Sequence, residues 1–175
     1  MDSGDLADIL DAVRSFVREV VLPAEDEIEE TDAIPGWLRE QAAAMGLFGF
    51  AIPQEYGGLG LSMSEEVRLA FELGYASPAF RSMFGTNNGI AGHVLLEGGT
   101  EEQRKRYLPR LASGEWTASF GLTEAEAGSD PGGLATVAVR DGFPRPAADP
   151  LRNSTDTVFP TSFSNAADAA AKFSS

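Results

Sequence analysis

The sequence predicts an α+β fold in which a helical N-terminal domain of about five helices precedes the first strands of a β-domain. Three observations carry this reading. Apolar residues recur at three-four spacing through the first hundred or so positions, two Ser/Thr-x-x-Glu/Gln boxes mark helix starts, and after Gly114 the period changes to that of extended chain. Helices first and strands second differs from the alternation of strand and helix in a dinucleotide-binding sheet.

The first helix is the clearest. Leu6, Ile9, Leu10, Val13, Phe16, Val17, Val20 and Val21 make one apolar stripe, with Asp5, Asp8, Asp11, Arg14 and Arg18 outside it. Beyond Pro23, EDEIEETD lacks such a stripe and is expected to fray or bend away. A second helix runs from about Pro35 to Met45, with Trp37, Leu38, Gln41 and Met45 in register and Gly46 as its stop. In the PQEYGGLGLS stretch that follows, GGLG at 57–60 neither follows a strand nor has dinucleotide-fingerprint spacing. Ser62 and Glu65 form a capping box that opens a third helix ending near Gly74. A fourth follows Pro78, with Phe80, Met83, Phe84, Asn87, Ile90, Ala91, Val94 and Leu95 along one side. Thr100 and Gln103 box the start of a fifth, carrying Tyr107, Leu108 and Leu111, disturbed at Pro109 and closed by Gly114.

WTASFGL then has the β-branched and aromatic content of a strand, and LATVAVR alternates Ala135, Val137 and Val139 with Thr136, Ala138 and Arg140. From Phe143 the chain holds four Pro, eight Ser or Thr and seven Ala without a sustained period, and is expected to be a disordered tail. The expected division is a helical domain over 1–114, the start of a β-domain over 115–142 and a divergent tail over 143–175.

Composition removes whole classes of function. There is no cysteine, so thiolate catalysis and cysteine-bound metal are excluded; the single histidine, His93, reads as a packed or half-exposed side chain, and no metal site is expected. Redox chemistry would have to come from an organic cofactor. A net charge of -14 argues against nucleic acid, whose phosphates need clustered Lys and Arg. Much of that charge sits in residues 1–32, where eleven Asp or Glu face Arg14 and Arg18, as on a solvated helix face. No apolar run is long enough for a membrane helix and MDSGDLADIL has no signal-peptide character, so a cytoplasmic location without membrane association is the expectation.

The stretch FGLTEAEAGSD, Phe120 to Asp130, joins the two expected strands. Backbone amides left unpaired at a strand end, a small residue and a hydroxyl can hold a phosphate-bearing ligand, and Gly128 and Ser129 supply the last two. A plain surface turn is the alternative reading.

The same stretch resembles the signature L-T-E-P-x-A-G-S-D of the acyl-CoA dehydrogenase family, with Ala125 in place of proline. FAIPQEYGGLGLS, GTEEQRKRYLPRLASGEW and TVAVRDG agree with that family in order and spacing, and together they cover nearly all of residues 1–142. The resemblance implies an FAD-dependent oxidoreductase of fatty acid metabolism that takes the α-proton and a β-hydride from an acyl-CoA thioester, in a family of homo-oligomers. Carried over, it implies that Phe120, Leu122 and Thr123 pack on and hydrogen-bond the flavin ring, while Gly128 and Ser129 approach pyrophosphate and CoA. Phe163 to Asn165 resemble a later flavin contact, which would put the Ser164 hydroxyl on the flavin. The Arg81-Ser82 pair lies eighteen residues before Gly99 with the spacing found in glutaryl-CoA dehydrogenase, which implies a distal carboxylate of the substrate as its ligand; a surface helix arginine is the alternative. The family's base is a glutamate of a C-terminal helical domain outside these residues, so no catalytic residue is assigned and the 175 residues alone are expected to be inactive. The alternatives are a non-enzymatic remnant or helical interaction module, and an acyl-CoA oxidase relative.

Overall fold

The computed structural model describes residues 3–125, 127–133 and 135. Among them the chain forms five helical rods joined by tight turns. The first rod places α1 (Ser3–Phe16), a wide π segment (Val17–Val21), a 3₁₀ turn (Leu22–Ala24) and α2 (Glu25–Thr31) end to end. α3 (Gly36–Ala44) and α4 (Met63–Leu73) follow; α5 (Pro78–Gly85), a second π segment (Thr86–Gly92) and α6 (His93–Gly98) make the fourth rod, and α7 (Glu101–Ala112) the fifth.

The first rod buries Leu6, Leu10, Val13, Val17, Val21, Ala24 and Ile28, a stripe that steps by three or four along its whole length. That stripe corrects the expectation for EDEIEETD. The segment is helical because Ile28 continues the buried face from Ala24, and because the Glu25 carboxylate accepts the Ser77 amide at 2.6 Å, tying α2 to the start of α5. α1 lies against α4, where Arg14 donates to Glu72 at 2.7 and 3.1 Å. The hydrogen bond from Arg14 holds the Glu72 carboxyl below its ordinary range.

α3 buries Leu38 and Ala42, and Met45 at its end packs against the core, so Leu38 and Met45 lie where expected, whereas Trp37 is 43% exposed and Gln41 lies outside, with Ala42 taking the inner place. Both capping boxes form: Ser62 with Glu65, and Thr100 with Gln103. α7 runs through Pro109 to Ala112 without the disturbance expected there. Gly46 and Gly114 stop α3 and α7 as expected, each at φ 75°.

The main core is a chain of rings. Phe16 meets Phe80 at 6.1 Å, Phe80 meets Phe84 at 5.4 Å, and Phe84 meets Phe48 at 5.8 Å, the last two close to edge-on. A second, smaller core joins Ile52, Tyr56, Leu95, Leu108, Leu111, Ala112 and Ala118. Between the two cores Gly49 lets backbones touch: a Cβ there would stand 2.6 Å from the Ala112 Cα.

The expected strand over 116–122 is absent among the described residues. Its backbone is spoken for by the helical body instead, since Trp116 N donates to Arg110 O and Ala118 N to the Asn87 side chain. The LATVAVR strand, apart from Ala135, and the tail with Ser164 lie outside the described residues. Among those described, no helix is long and apolar enough to cross a membrane and no cluster of His, Asp or Glu could hold a metal; His93 is exposed.

Candidate functional site

Two exposed surfaces carry the residues singled out in the sequence. The first is a groove of about 270 Å³ on the outer face of the fourth rod, lined by Arg81, Ser82, Gly85, Thr86 and Ile90. These positions step by four along the helix, and two of the three expected substrate residues, Arg81 and Ser82, lie in it, while the third, Ser129, is not among its lining. Among the described residues no carboxylate pairs with the Arg81 guanidinium. A groove with one unpaired cation, two hydroxyls and an apolar wall suits an anionic group attached to a short apolar stem.

Ile90 lines this groove with Ser82 and Thr86, each four residues on from the last. The sequence placed Ile90, Ala91 and Val94 on the apolar side with Phe84, yet at about 100° per residue only Ala91 of the three lines up with Phe84 in an α-helix. The buried residues after Phe84 are Asn87, Asn88, Gly92 and Leu95, so Gly92 takes the place of the half-buried Ala91, and Ile90 and Val94 are each 40% exposed. The π segment supplies the extra residue per turn that shifts the face.

The second surface is the turn after residue 118. Its root is held firmly. Arg39 donates to Gly114 O at 2.6 Å and to the Thr117 hydroxyl at 3.1 Å, and the Arg110 guanidinium lies 4.4 Å above the Trp116 ring. Asn87 takes Trp116 O and Ala118 N. From Ser119 the chain is open to solvent; Phe120 is 49% exposed, Leu122 half-buried and Thr123 exposed.

The turn then closes on itself. Glu124 N donates to Ala127 O at 2.8 Å, Ala127 N donates back to Glu124 O at 3.4 Å, and Ala127 is buried. Glu124 Oε2 accepts Ala135 N at 2.8 Å, and Asp130 Oδ1 accepts Gly132 N at 3.0 Å. These two carboxylates, the acidic groups nearest the motif's hydroxyls in sequence, therefore build the loop. Gly128 and Ser129 are exposed, and a Cβ on Gly128 would meet nothing nearer than the Thr123 Cγ2 at 3.7 Å, so the turn brings Thr123 and Gly128 side by side. Among the described residues no hydrogen bond engages the hydroxyls of Thr123 or Ser129.

This donor set fits the polar edge of a flavin nucleotide. It offers two free hydroxyls, a glycine that lets backbone come close, and an exposed aromatic ring at Phe120. The sequence motif led to all of these. It gave no hint of Asn87 as the root of the turn, although a polar residue inside an otherwise apolar stripe was the available signal.

Comparison with known proteins points the same way. The family described as "Acyl-CoA dehydrogenase, N-terminal domain" matches residues 3–115. A (2S)-methylsuccinyl-CoA dehydrogenase of Cereibacter sphaeroides is 41% identical over 139 residues, which are 79% of this chain and 25% of that protein. The crystal structure of glutaryl-CoA dehydrogenase from Mycobacterium smegmatis superposes with a TM-score of 0.71 at 31% identity, covering 81% of this chain and 37% of that one. That of an acyl-CoA dehydrogenase complexed with FAD from Bacillus anthracis gives 0.63 at 31% identity, covering 76% of this chain and 23% of that one. The chain spans about a third or less of the length of the curated relatives it matches.

Proposed function

The chain belongs to the acyl-CoA dehydrogenase family, and on that premise we propose that it forms the helical layer and the entry to the flavin site of an FAD-dependent acyl-CoA dehydrogenase. In this reading residues 1–114 are the helical domain and 115–142 open the β-domain. The observation that carries it is the turn at Thr123 to Asp130, where the Thr123 and Ser129 residues are exposed with hydroxyls that no hydrogen bond engages among the described residues, while the Glu124 and Asp130 carboxylates accept the Ala135 and Gly132 amides.

FAD, when bound, supplies the acceptor for the substrate's β-hydride. The chain's own part is to hold and orient. Phe120 and Leu122 would offer apolar surface to the ring, Thr123 a hydroxyl to its polar edge, and Gly128 with Ser129 would take the pyrophosphate or CoA side, with Ser164 as a further hydroxyl. Donors preset at the edge where charge gathers stabilise it without reorganising at the moment of reaction. No base is assigned among these residues, since Glu124 and Asp130 are committed to the loop. The α-proton is then taken by a group outside the 175 residues, which alone should not turn over.

The groove supports a finer reading, a substrate whose acyl tail ends in a carboxylate. Arg81 lines that groove with no counter-ion among the described residues, and a relative at 41% identity is named for a dicarboxylic acyl-CoA.

The test is a titration of FAD into the purified chain, followed by quenching of flavin fluorescence. Weak binding is expected, loosened about threefold to tenfold by Thr123→Ala or Ser129→Ala, because each hydrogen bond contributes on the order of 1 kcal/mol. Adding an acyl-CoA should not bleach the flavin. FAD affinity that neither substitution moves would sink the assignment of the turn, and bleaching would put a base within this chain.

A further inference from the structure

Asn87 and Asn88 sit side by side in the π segment, and both are buried, Asn87 completely. A primary amide is costly to bury unless its donors and acceptor all find partners, and both residues meet that condition with backbone groups. Asn88 donates to Leu47 O at 2.9 Å and Phe84 O at 3.0 Å and accepts Ala51 N at 3.0 Å, so it binds the turn after α3 to the fourth rod. Asn87 donates to Leu111 O at 3.1 Å and Trp116 O at 2.9 Å and accepts Ala118 N at 2.7 Å. It thereby joins three separate pieces: the fourth rod, the end of α7, and the segment leading out to the turn.

The Ala118 bond has a particular place in the chain. Among the described residues it is the last hydrogen bond between the helical body and the segment that continues to Phe120; the next backbone bond, Glu124 N to Ala127 O, lies inside the turn itself. The other clamps act before that point: the half-buried Arg39 side chain holds Gly114 O and Thr117, and Arg110 accepts Trp116 N on its backbone carbonyl while its exposed guanidinium lies over the Trp116 ring. On the outer side of the same π segment Thr86 lines the groove.

We propose that Asn87 is a positioning residue of the candidate site: by holding Trp116 O and Ala118 N from the buried side, it sets where and in what direction Phe120, Leu122 and Thr123 leave the helical body. The inference rests on the reading of those three residues as flavin-contacting. It adds the group that aims them and makes the wall of the groove and the root of the turn neighbours in sequence, Thr86 and Asn87. Asn88 supplies a matched comparison, being equal in chemistry and near-equal in burial but tied to residues 47–51.

Amide hydrogen exchange on the full 175-residue chain tests this. In the wild-type chain the Ala118 amide should exchange at least about a hundredfold more slowly than the exposed Ser119 amide next to it. In Asn87→Ala, exchange over 116–123 should rise at least about tenfold with 47–52 unmoved; Asn88→Ala should give the reverse. FAD affinity, read by flavin fluorescence, should fall at least about threefold further in Asn87→Ala than in Asn88→Ala. If both variants loosen the molecule uniformly, Asn87 is a stability residue only and the inference fails. It fails equally if the wild-type Ala118 amide exchanges as fast as that of Ser119, a result that needs no variant to fold. A wild-type chain that ignores FAD while showing the exchange pattern would remove the flavin reading of the turn and leave the anchor in place.

Discussion

Replacing Phe84 should expose how the ring chain sustains the helical layer. Phe84 is 2% exposed, and its ring meets Phe80 at 5.4 Å, Phe48 at 5.8 Å and Phe50 at 6.5 Å, all tilted by 69° or more. Truncating a buried phenylalanine to alanine costs about 3–5 kcal/mol, and edge-on ring pairs contribute about 0.5–1.5 kcal/mol each beyond area. With three such pairs lost, Phe84→Ala belongs at the upper end, against a whole-domain stability of about 5–15 kcal/mol. Phe84→Leu is the more informative change, because it keeps most of the volume and removes the ring pairs, for an expected loss of about 2 kcal/mol. Phe71, 72% exposed on α4, provides the comparison: Phe71→Leu should stay within about 0.5 kcal/mol. Urea denaturation followed by far-UV circular dichroism reads both. At a slope of about 1–3 kcal/mol per molar urea, Phe84→Leu should lower the midpoint by roughly 1 M. If the two leucine variants shift the midpoint equally, the ring chain is not the mechanical centre described above.

Two further outcomes follow from single contacts. Glu72 has its carboxyl lowered by Arg14, so its contribution to stability is present above the ordinary carboxyl pKa of 4.5 and is lost as pH falls through the lowered value. The stability gap between wild type and Glu72→Gln should therefore be open at pH 7 and close on acidification below about 4.5; a gap that stays constant down to pH 2 would show that the Arg14 contact is not what holds the carboxyl down. Arg81→Ala should weaken binding of glutaryl-CoA by about tenfold or more, measured by calorimetric titration, while leaving butyryl-CoA within about twofold, since charge-assisted bonds contribute about 1.5–3 kcal/mol. Equal losses for both ligands would leave Arg81 without a role in recognising a carboxylate.

The helices were legible wherever local chemistry decides them. The Ser62 and Thr100 boxes and the glycine stops at 46 and 114 stand where the sequence put them, because caps and left-handed stops are satisfied within a few residues. Misreadings came from distance and from winding. α2 was hidden because its one buried residue, Ile28, is recognisable only as the continuation of a stripe begun far upstream. The burial of Gly92 in place of Ala91 was hidden because periodicity assumes a constant pitch, which the π segment breaks, while Ile90 and Val94 were read onto the stripe although about 100° per residue already turns them away from Phe84. The strand over 116–122 failed for a different reason: β-branched and aromatic content marks a segment able to pair, whereas here Asn87 and Arg110 take its backbone groups. Of the candidate site, the residues of the turn were readable as a motif, while the bond network that roots it is a tertiary fact spread over Arg39, Asn87 and Arg110.

The wide winding at Thr86–Gly92 also gives the fourth rod one place where a change in its own length is absorbed. In an α-helix each residue turns the chain by about 100°, so one residue fewer in α5 would swing everything after the cut through more than a quarter turn. One residue fewer within the π segment removes the surplus residue instead, and the chain closes to α winding with Gly92 still turned toward the core. Substitutions along this rod change one contact at a time. A single-codon deletion in α5 would carry Asn87 and Asn88 off their partners together, whereas the same deletion in the π segment would leave the faces beyond it where they are.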